Sequence, residues 1–483
     1  MRVAVATLGC KVNQYDSASI ETHLRSAGCT MVAFEPGADV YVVNTCTVTD
    51  RGDAESRQLA RRARRFGPAA RVILTGCFAQ INPQGAAIPE VDHVIGLNRL
   101  PDLVRAVRGE LGGRGGRILV DDLRATRSVK TLGAESFTGQ TRAFLKIQEG
   151  CDLFCSFCIV PFARGGSRSV PPRQVLEQLR MLAQRGFQEV VLTGVHLGGY
   201  GADLEPQMEI TDLLRMVLEQ PPVPRIRLSS IDPPEVTPQL VRLLHDFPVL
   251  CPHLHIPIQA GHDDVLQRMR RKYATGFVRE LCAVIRERLP DAAIGTDVIA
   301  GFPGETEGQF EQGMQLLAAL PLTYFHVFPY SRRAGTTAAK LPGHLPPQII
   351  RRRARRLRTL GQRKRMEFAR GFVGREMHVL AEHTSARSGA WLTGYTRNYQ
   401  RVEFPAPAQL ANREVGVRIV GCRGERLVGL LAACPCVRTD PLSEKAAATR
   451  PGQANPVLSQ VEGGARPSGP PAGGPAALAA GEF

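Results

Sequence analysis

In the N-terminal part of the chain, short apolar runs alternate with stretches of helical periodicity. Strands are predicted at 3–8, 40–44 and 72–75, with helices at 16–26 and 53–65 between them. This alternation is that of a parallel βαβ sheet. Residues 111–139 include Gly112-Gly113-Arg114-Gly115-Gly116 and show little periodicity, so they read as a linker carrying one strand at 118–120. A second repeating unit then begins. Its strands are predicted at 143–147, 190–193, 226–229, 253–258, 293–299 and 324–328, with helices at 174–184, 210–218, 239–244, 278–288 and 310–320. Six successive βα units predict an open, partial (βα)6 version of a parallel barrel, whose chemistry belongs at the C-terminal ends of its strands. An arginine-rich helix follows, from Arg351-Arg352-Arg353-Ala354-Arg355-Arg356 to Arg365. Short alternating strands over 373–431 then have the extent of a small β-barrel. Beyond Cys436 the chain is rich in Pro, Gly and Ala, a composition that buries too little apolar surface to fold. The fold class is therefore α/β. The expected division is an N-terminal parallel α/β domain at 1–110, a linker at 111–139, the partial barrel at 140–366, the small β-barrel at 367–436 and a disordered, dispensable tail at 437–483.

With 483 residues, the chain exceeds what one hydrophobic core accommodates. Lysine and arginine number 61 against 45 acidic residues, a formal charge of +16, which favours a polyanionic partner such as nucleic acid or an anionic membrane surface. No apolar run reaches spanning length, which argues against a membrane protein. The N-terminus, Met1-Arg2-Val3-Ala4-Val5-Ala6-Thr7-Leu8-Gly9-Cys10, lacks the apolar core and cleavage site of a secretory signal. A cytoplasmic location is expected. Twelve cysteines in such a compartment read first as metal or catalytic thiols, because reducing pools keep them free.

Cys10, Cys46 and Cys77 each fall just past the end of a predicted strand of the first sheet. The carboxyl ends of neighbouring parallel strands face one crevice, so three cysteines distant in sequence are predicted to meet there. The alternative is that they fill the sheet edge as small apolar residues. Gly150-Cys151-Asp152-Leu153-Phe154-Cys155-Ser156-Phe157-Cys158 follows the first barrel strand directly. Three thiolates on one tight loop can hold three irons of a cubane cluster and leave the fourth open to chelate a substrate. Zinc is the competing ligand, although a closed zinc site needs a fourth donor that this loop lacks.

The cysteine loop and its place after the first barrel strand resemble the radical S-adenosylmethionine (SAM) superfamily, and residues 1 to about 435 resemble its methylthiotransferases. The resemblance implies a cluster on Cys151, Cys155 and Cys158 whose open iron binds SAM and cleaves it reductively. It implies a second, auxiliary [4Fe-4S] cluster on Cys10, Cys46 and Cys77 that carries sulfur, and a C-terminal RNA-binding barrel of the TRAM type. Thr193-Gly194-Val195-His196, Ser229-Ser230-Ile231-Asp232-Pro233, His253 to Gly261 and Gly295 to Thr306 match the family's motifs in order. By that resemblance Thr193, Gly194, Ser230, His255, Gln259, Asp297 and Gly301 are cofactor-binding candidates. Phe157 is of the type that covers the cofactor's adenine and is equally suited to the core.

Arginines for phosphates and aromatics for unstacked bases are the usual means of gripping an RNA loop. The candidates are the arginine-rich helix and Trp391-Leu392-Thr393-Gly394-Tyr395-Thr396-Arg397-Asn398-Tyr399, with Tyr395 and Arg397 as base and phosphate contacts. A solvated helix face is the alternative for the arginine run. Arg164 and Arg168, shortly after the cysteine loop, are candidates for an anionic substrate group, with packing or an ion pair as their alternative. Leu8-Gly9-Cys10-Lys11-Val12-Asn13-Gln14, Asn44-Thr45-Cys46-Thr47-Val48-Thr49 and Thr141 to Gln148 look like the branch acting on N6-threonylcarbamoyladenosine 37 beside the tRNA anticodon. The branches acting on isopentenyladenosine 37 and on a ribosomal-protein aspartate are the other choices within the family. A non-catalytic iron-sulfur protein that binds RNA or senses redox state is the choice outside it. The chemistry implied by the resemblance also requires an external electron donor.

Overall fold

The structure, a computed structural model, describes residues 1–112, 117–126, 133–135, 137, 140–384 and 391–432. The tail expected at 437–483 lies outside the described residues. Strand β1 (Arg2–Thr7) belongs to a six-stranded sheet in the order β2-β1-β3-β4-β5-β6. The other strands are β2 (Thr30–Val32), β3 (Val40–Thr45), β4 (Arg71–Gly76), β5 (His93–Ile95) and β6 (Arg117–Leu119). Every pairing in it is parallel. β3 is buried along its whole length, which explains its nearly continuous apolar sequence. β2 and β5 are too short to show a periodicity and escape the sequence pattern. β6, expected inside the linker, is the edge strand of this sheet, so the N-terminal layer extends past residue 110.

Helices α1 (Lys11–Ser26), α2 (Asp50–Phe66), α3 (Cys77–Ile81), α4 (Pro83–Ala86) and α5 (Leu100–Arg108) connect these strands. α1 begins earlier than predicted, because its first turns bury polar residues such as Asn13 and Ser17 between two layers and so carry no apolar stripe to mark them. Ile20 and Leu24 pack into the core of the first sheet, whereas Tyr15 and Ala18 join the core of the following barrel. The Tyr15 hydroxyl donates to Gln178 Oε1 at 3.1 Å across that junction.

The barrel strands are β7 (Arg142–Lys146), β10 (Glu189–Thr193), β11 (Arg225–Leu228), β12 (His253–His255), β13 (Ala293–Ala300) and β14 (Tyr324–Pro329). Two short strands, β8 (Gln148–Glu149) and β9 (Arg168–Ser169), pair antiparallel beside β7. The barrel strands run parallel as β11-β10-β7 and β12-β13-β14, and single bridges Ile226↔Leu250 and Ser230↔His255 join the two groups. The result is the expected open, six-stranded partial barrel. β12 is shorter than predicted because Pro257 has no N–H to donate to a neighbour. The outer helices are α6 (Val160–Arg164), α7 (Pro172–Gln184), α8 (Ile210–Glu219), α9 (Pro238–Asp246), α10 (Asp263–Arg268), α11 (Thr275–Arg288) and α12 (Glu307–Ala319).

The arginine-rich helix is α13 (Pro347–Arg370). One of its faces is stapled to α12. Arg353 is buried against the Glu305 carboxylate at 2.8 Å and Glu307 at 2.7 Å, and Arg356 pairs with Glu311. Strands β15 (Glu376–Thr384), β16 (Trp391–Thr396), β17 (Arg401–Pro405), β18 (Glu414–Arg423) and β19 (Arg426–Leu431) then close a barrel in the order β15-β16-β17-β19-β18. Val379, Leu392, Val402, Phe404, Val417, Ile419 and Leu427 fill its core.

The small barrel docks on the N-terminal ends of the large barrel's strands. Arg142, Glu189 and Arg225, the first residues of β7, β10 and β11, are in register. Fully buried Glu189 accepts from Arg225 at 2.7 Å and from Arg227 at 2.7 Å. The same arginines donate to the carbonyls of Tyr395 at 3.1 Å and Arg397 at 2.9 Å. The Arg142 guanidinium lies 4.5 Å from the centre of the Tyr395 ring, and Arg397 pairs with Glu414 at 2.6 Å and donates to the Pro248 carbonyl at 2.7 Å. Tyr395 and Arg397, expected to contact RNA, therefore plug the end of the barrel opposite its chemistry. An aromatic ring and a guanidinium suit a buried cation–π and ion-pair junction as well as they suit RNA.

Burial works to raise the Glu189 carboxyl, but Arg227 and Arg225 hold it down at about 2, below its ordinary 4.5. Glu189→Gln leaves two buried guanidinium groups short of a counter-charge, and such a break costs about 3–5 kcal/mol. A depressed carboxyl contributes stability above its unfolded-state value and loses it as pH falls towards the folded one. Denaturant titrations should therefore show the full deficit of E189Q at neutral pH. The deficit should shrink between pH 4.5 and about 2.

Candidate functional site

Cys10 follows β1, Cys46 follows β3 and Cys77 opens α3 directly after β4. Because β1, β3 and β4 are adjacent parallel strands, the three thiols share one sheet edge. The approach is close: a Cβ on Gly9, whose φ is +93°, would lie 2.8 Å from Cys46 Sγ. Burial pushes the Cys46 thiol up to about 12, and the nearby Cys77 and Cys10 add to the effect. Burial also pushes Cys77 up to about 11 against the opposing charge of Arg164. No disulfide joins the described cysteines. Asn13, one turn into α1, secures the loops by donating to the carbonyls of Leu8 at 2.6 Å and Thr45 at 3.0 Å.

The second triad lies on the loop after β7 and β8. Gly150 has a φ of +74°, and a side chain there would collide with the Gly166 carbonyl. Only glycine permits this turn into the cysteines. Cys151 N donates to Gly165 O at 3.1 Å, and Ser156 Oγ donates to Arg268 O at 2.7 Å. Burial pushes Cys151 and Cys158 up to about 12, with their neighbouring thiols adding to it. Arg271, which the sequence pattern does not single out, donates to Cys155 Sγ at 3.3 Å and is held by Asp232 at 2.7 Å.

Thr193, Gly194 and Ser230 lie at the C-terminal ends of β10 and β11, and His255 ends β12. Asp297, from β13, accepts from His255 at 2.7 Å and faces His326 of β14 at 3.3 Å. Burial works to raise Asp297, but His255 and His326 hold it well below the usual carboxylate range. Tyr324 Oη links His255 Nδ1 at 3.1 Å to His253 Nε2 at 2.7 Å. His326 is a site residue absent from the sequence candidates, although its strand position, alternating with Tyr324, marks it as inward-facing. Gln259 has a φ of +68° and donates its backbone N–H to Asp297 O at 2.8 Å. Gly301 serves the close approach of α13, since a Cβ there would meet Ile350 at 2.7 Å. Phe157 packs beside the cluster of Ala260, Val265, Leu266 and Met269.

Arg164 and Arg168, expected at an open mouth, are buried instead. Arg164 pairs with Glu149 at 2.6 Å and Asp16 at 2.8 Å, and Arg168 donates to the Arg164 carbonyl at 2.7 Å. Charges without access to water are held by carboxylates and carbonyls, which leaves these two no role at a substrate surface. Lys146 completes the group with Asp16 and Glu149, each at 2.5 Å.

Residues 145–317 match the family model described as the radical SAM superfamily, and residues 2–96 match one described as uncharacterized protein family UPF0004. The chain is 38% identical over 427 residues to threonylcarbamoyladenosine tRNA methylthiotransferase MtaB of Bacillus subtilis, covering 86% of this chain and 93% of that protein. Its counterpart in Aquifex aeolicus is 40% identical over 381 residues, 79% of this chain and 92% of that one. The chain belongs to the threonylcarbamoyladenosine tRNA methylthiotransferase family. The tRNA-2-methylthio-N(6)-dimethylallyladenosine synthase of Syntrophobacter fumaroxidans is more distant, 32% identical over 446 residues, 89% of this chain and 96% of that one. Among solved structures, the radical SAM methyltransferase TsrM of Kitasatospora setae, with cobalamin and a [4Fe-4S] cluster bound, shares the fold. Its TM-score is 0.50 at 17% identity, covering 68% of this chain and 76% of that one. Among the described residues no helix is long and apolar enough to cross a membrane.

The donor sets of this methylthiotransferase fit iron-sulfur clusters. Each site crowds three thiols, two of which burial holds back from ionising, Cys46 and Cys77 in one and Cys151 and Cys158 in the other, and a cationic metal centre removes that penalty by binding thiolates. Only the thiolate is alkylated at an appreciable rate. In metal-free protein at pH 8, iodoacetamide followed by peptide mass spectrometry should label exposed Cys10 well before Cys46, Cys77, Cys151 or Cys158. Equal labelling of all five would show that Cys46, Cys77, Cys151 and Cys158 are no more shielded than Cys10.

Proposed function

We propose that this methylthiotransferase installs a methylthio group at C2 of N6-threonylcarbamoyladenosine 37 in the anticodon loop of tRNA. Cys151, Cys155 and Cys158 would hold one [4Fe-4S] cluster, Cys10, Cys46 and Cys77 a second, and SAM is the source of both methyl group and radical. The reading is carried by the pair of thiol triads, each crowded at the C-terminal end of a parallel sheet within one compact unit. When bound, the barrel cluster supplies the electron that cleaves SAM to a 5′-deoxyadenosyl radical, and the auxiliary cluster supplies sulfur. Such chemistry answers a specific difficulty: the adenine C2–H is neither acidic nor polarised, so no side-chain base removes its proton at neutral pH.

The chain's own residues position the parts. Arg271, braced by Asp232, directs one N–H at Cys155. Thr193, Gly194, Ser230, His255, Gln259 and Asp297 offer polar groups at the strand ends for SAM, Gly301 shapes the loop after β13, and Phe157 stands beside the cysteines as an apolar cover. Exposed Arg351 and Arg355 on α13 supply phosphate contacts for tRNA, in place of Tyr395 and Arg397. An external donor delivers the electrons, and the reaction takes place in the cytoplasm.

Anaerobically reconstituted protein should hold two four-iron clusters, and alanine at Cys151, Cys155 and Cys158 should leave one. That variant should form neither 5′-deoxyadenosine nor methylthiolated nucleoside. Alanine at Cys10, Cys46 and Cys77 should preserve SAM cleavage under strong reductant and abolish methylthiolation. Nucleosides from cells lacking the protein should lose the methylthio derivative of N6-threonylcarbamoyladenosine and retain that of isopentenyladenosine. Zinc without iron in both variants, or near-normal methylthiolation by the N-terminal triple variant, would overturn the reading.

A further inference from the structure

Four hydrogen bonds converge on one buried guanidinium. Arg164 donates from Nε to Cys77 Sγ at 3.2 Å, from one terminal nitrogen to Glu149 Oε1 at 2.6 Å, and from the other to Asn13 Oδ1 at 2.5 Å and Asp16 Oδ2 at 2.8 Å. These partners stand at the roots of both thiol sites. Arg164 ends α6, the helix that follows Cys158, and Glu149 lies two positions before Cys151. Asn13 and Asp16 lie in the first turns after Cys10, and Asn13 also holds the carbonyl before Cys46. An arginine needed only to tie two layers together would be satisfied by carboxylates and carbonyls alone. This one points its remaining donor at a sulfur that is a candidate iron ligand.

We propose that Arg164 is a positioning residue that fixes the auxiliary thiol site against the radical-site loop and, through its Nε–H to Cys77, raises the reduction potential of the auxiliary cluster. The inference rests on the two-cluster reading above. A hydrogen bond and a positive charge at a ligand sulfur favour the more negative, reduced cluster. Removing them shifts the potential to a more negative value.

The test uses the full chain with Cys151, Cys155 and Cys158 changed to alanine, so that only the auxiliary cluster reports. Arg164→Gln and Arg164→Lys are introduced there, and the midpoint potential is followed by paramagnetic resonance during redox titration, with iron content and circular dichroism alongside. R164Q should shift the potential to more negative values, and R164K should shift it less, because lysine keeps the charge and loses the guanidinium geometry. Should R164Q fail to retain iron, the shift in R164K decides. In the complementary background lacking Cys10, Cys46 and Cys77, R164K should leave the radical-site potential where it was. An auxiliary potential unmoved in every iron-containing variant, or global unfolding of both, overturns the proposal and leaves Arg164 an interdomain tie. A parent background that binds no iron at all overturns the two-cluster reading, and this inference with it.

Discussion

Arg164 and Lys146 carry full charges at a place that water does not reach, and a buried charge is tolerable only where opposite charge and hydrogen bonds meet it. Asp16 from α1 and Glu149 beside the radical-site loop do so, with distances of 2.5 to 2.8 Å. Burial works to raise Glu149, yet Arg164 and Lys146 hold it down at about 2, so the group stays ionised across the physiological range. Neither layer satisfies this set alone. Detaching the N-terminal sheet from the barrel would remove Asp16 and leave Arg164 and Lys146 to share Glu149 alone, so the two thiol sites keep a defined relation.

The barrel uses its two ends for different purposes. The C-terminal ends carry the cysteine loop, Ser230, His255 and Asp297, as expected of a parallel barrel. The N-terminal ends carry Arg142, Glu189 and Arg225, and the small C-terminal barrel closes over them with Tyr395, Arg397 and Glu414. A charged floor of this kind is stable only when capped. The cap is a docking device, whereas Arg351 and Arg355 on α13 remain exposed.

α1 links these arrangements. Its burial on two sides demands small or precisely paired residues, and the sequence from Val12 to Ile20 supplies Ser17, Ala18 and Ser19 for close packing. Asn13, Tyr15 and Asp16 make the directed contacts. The Tyr15 hydroxyl is raised to about 12 by burial and so remains a neutral donor to Gln178. The helix therefore serves as the second wall of the auxiliary thiol site and as the barrel's neighbour.

Local pattern alone determined most of the architecture. The β1, β3 and β4 strands, the six barrel strands and the closed C-terminal barrel follow from runs of apolar residues and their spacing, since a strand's burial is written in its own sequence. The cysteines were legible for the same reason: a strand end is a local feature, and parallel strands bring their ends together. Three-residue strands such as β2 and β5 carry too little pattern to be seen, and the role of β6 depends on a neighbour distant in the chain. Only the tertiary structure decided the fate of the arginines. Arg164, Arg168 and Arg397 are chemically identical to surface arginines in the sequence, and whether a guanidinium meets an RNA phosphate or a partner within the protein depends on how folding arranges the groups around it, Asp16 coming to Arg164 from 148 positions away. The strand position of His326 marks its direction, but its partner Asp297, like the contact of Arg271 with Cys155, appeared only in the folded chain, because a pairwise polar contact has no periodicity.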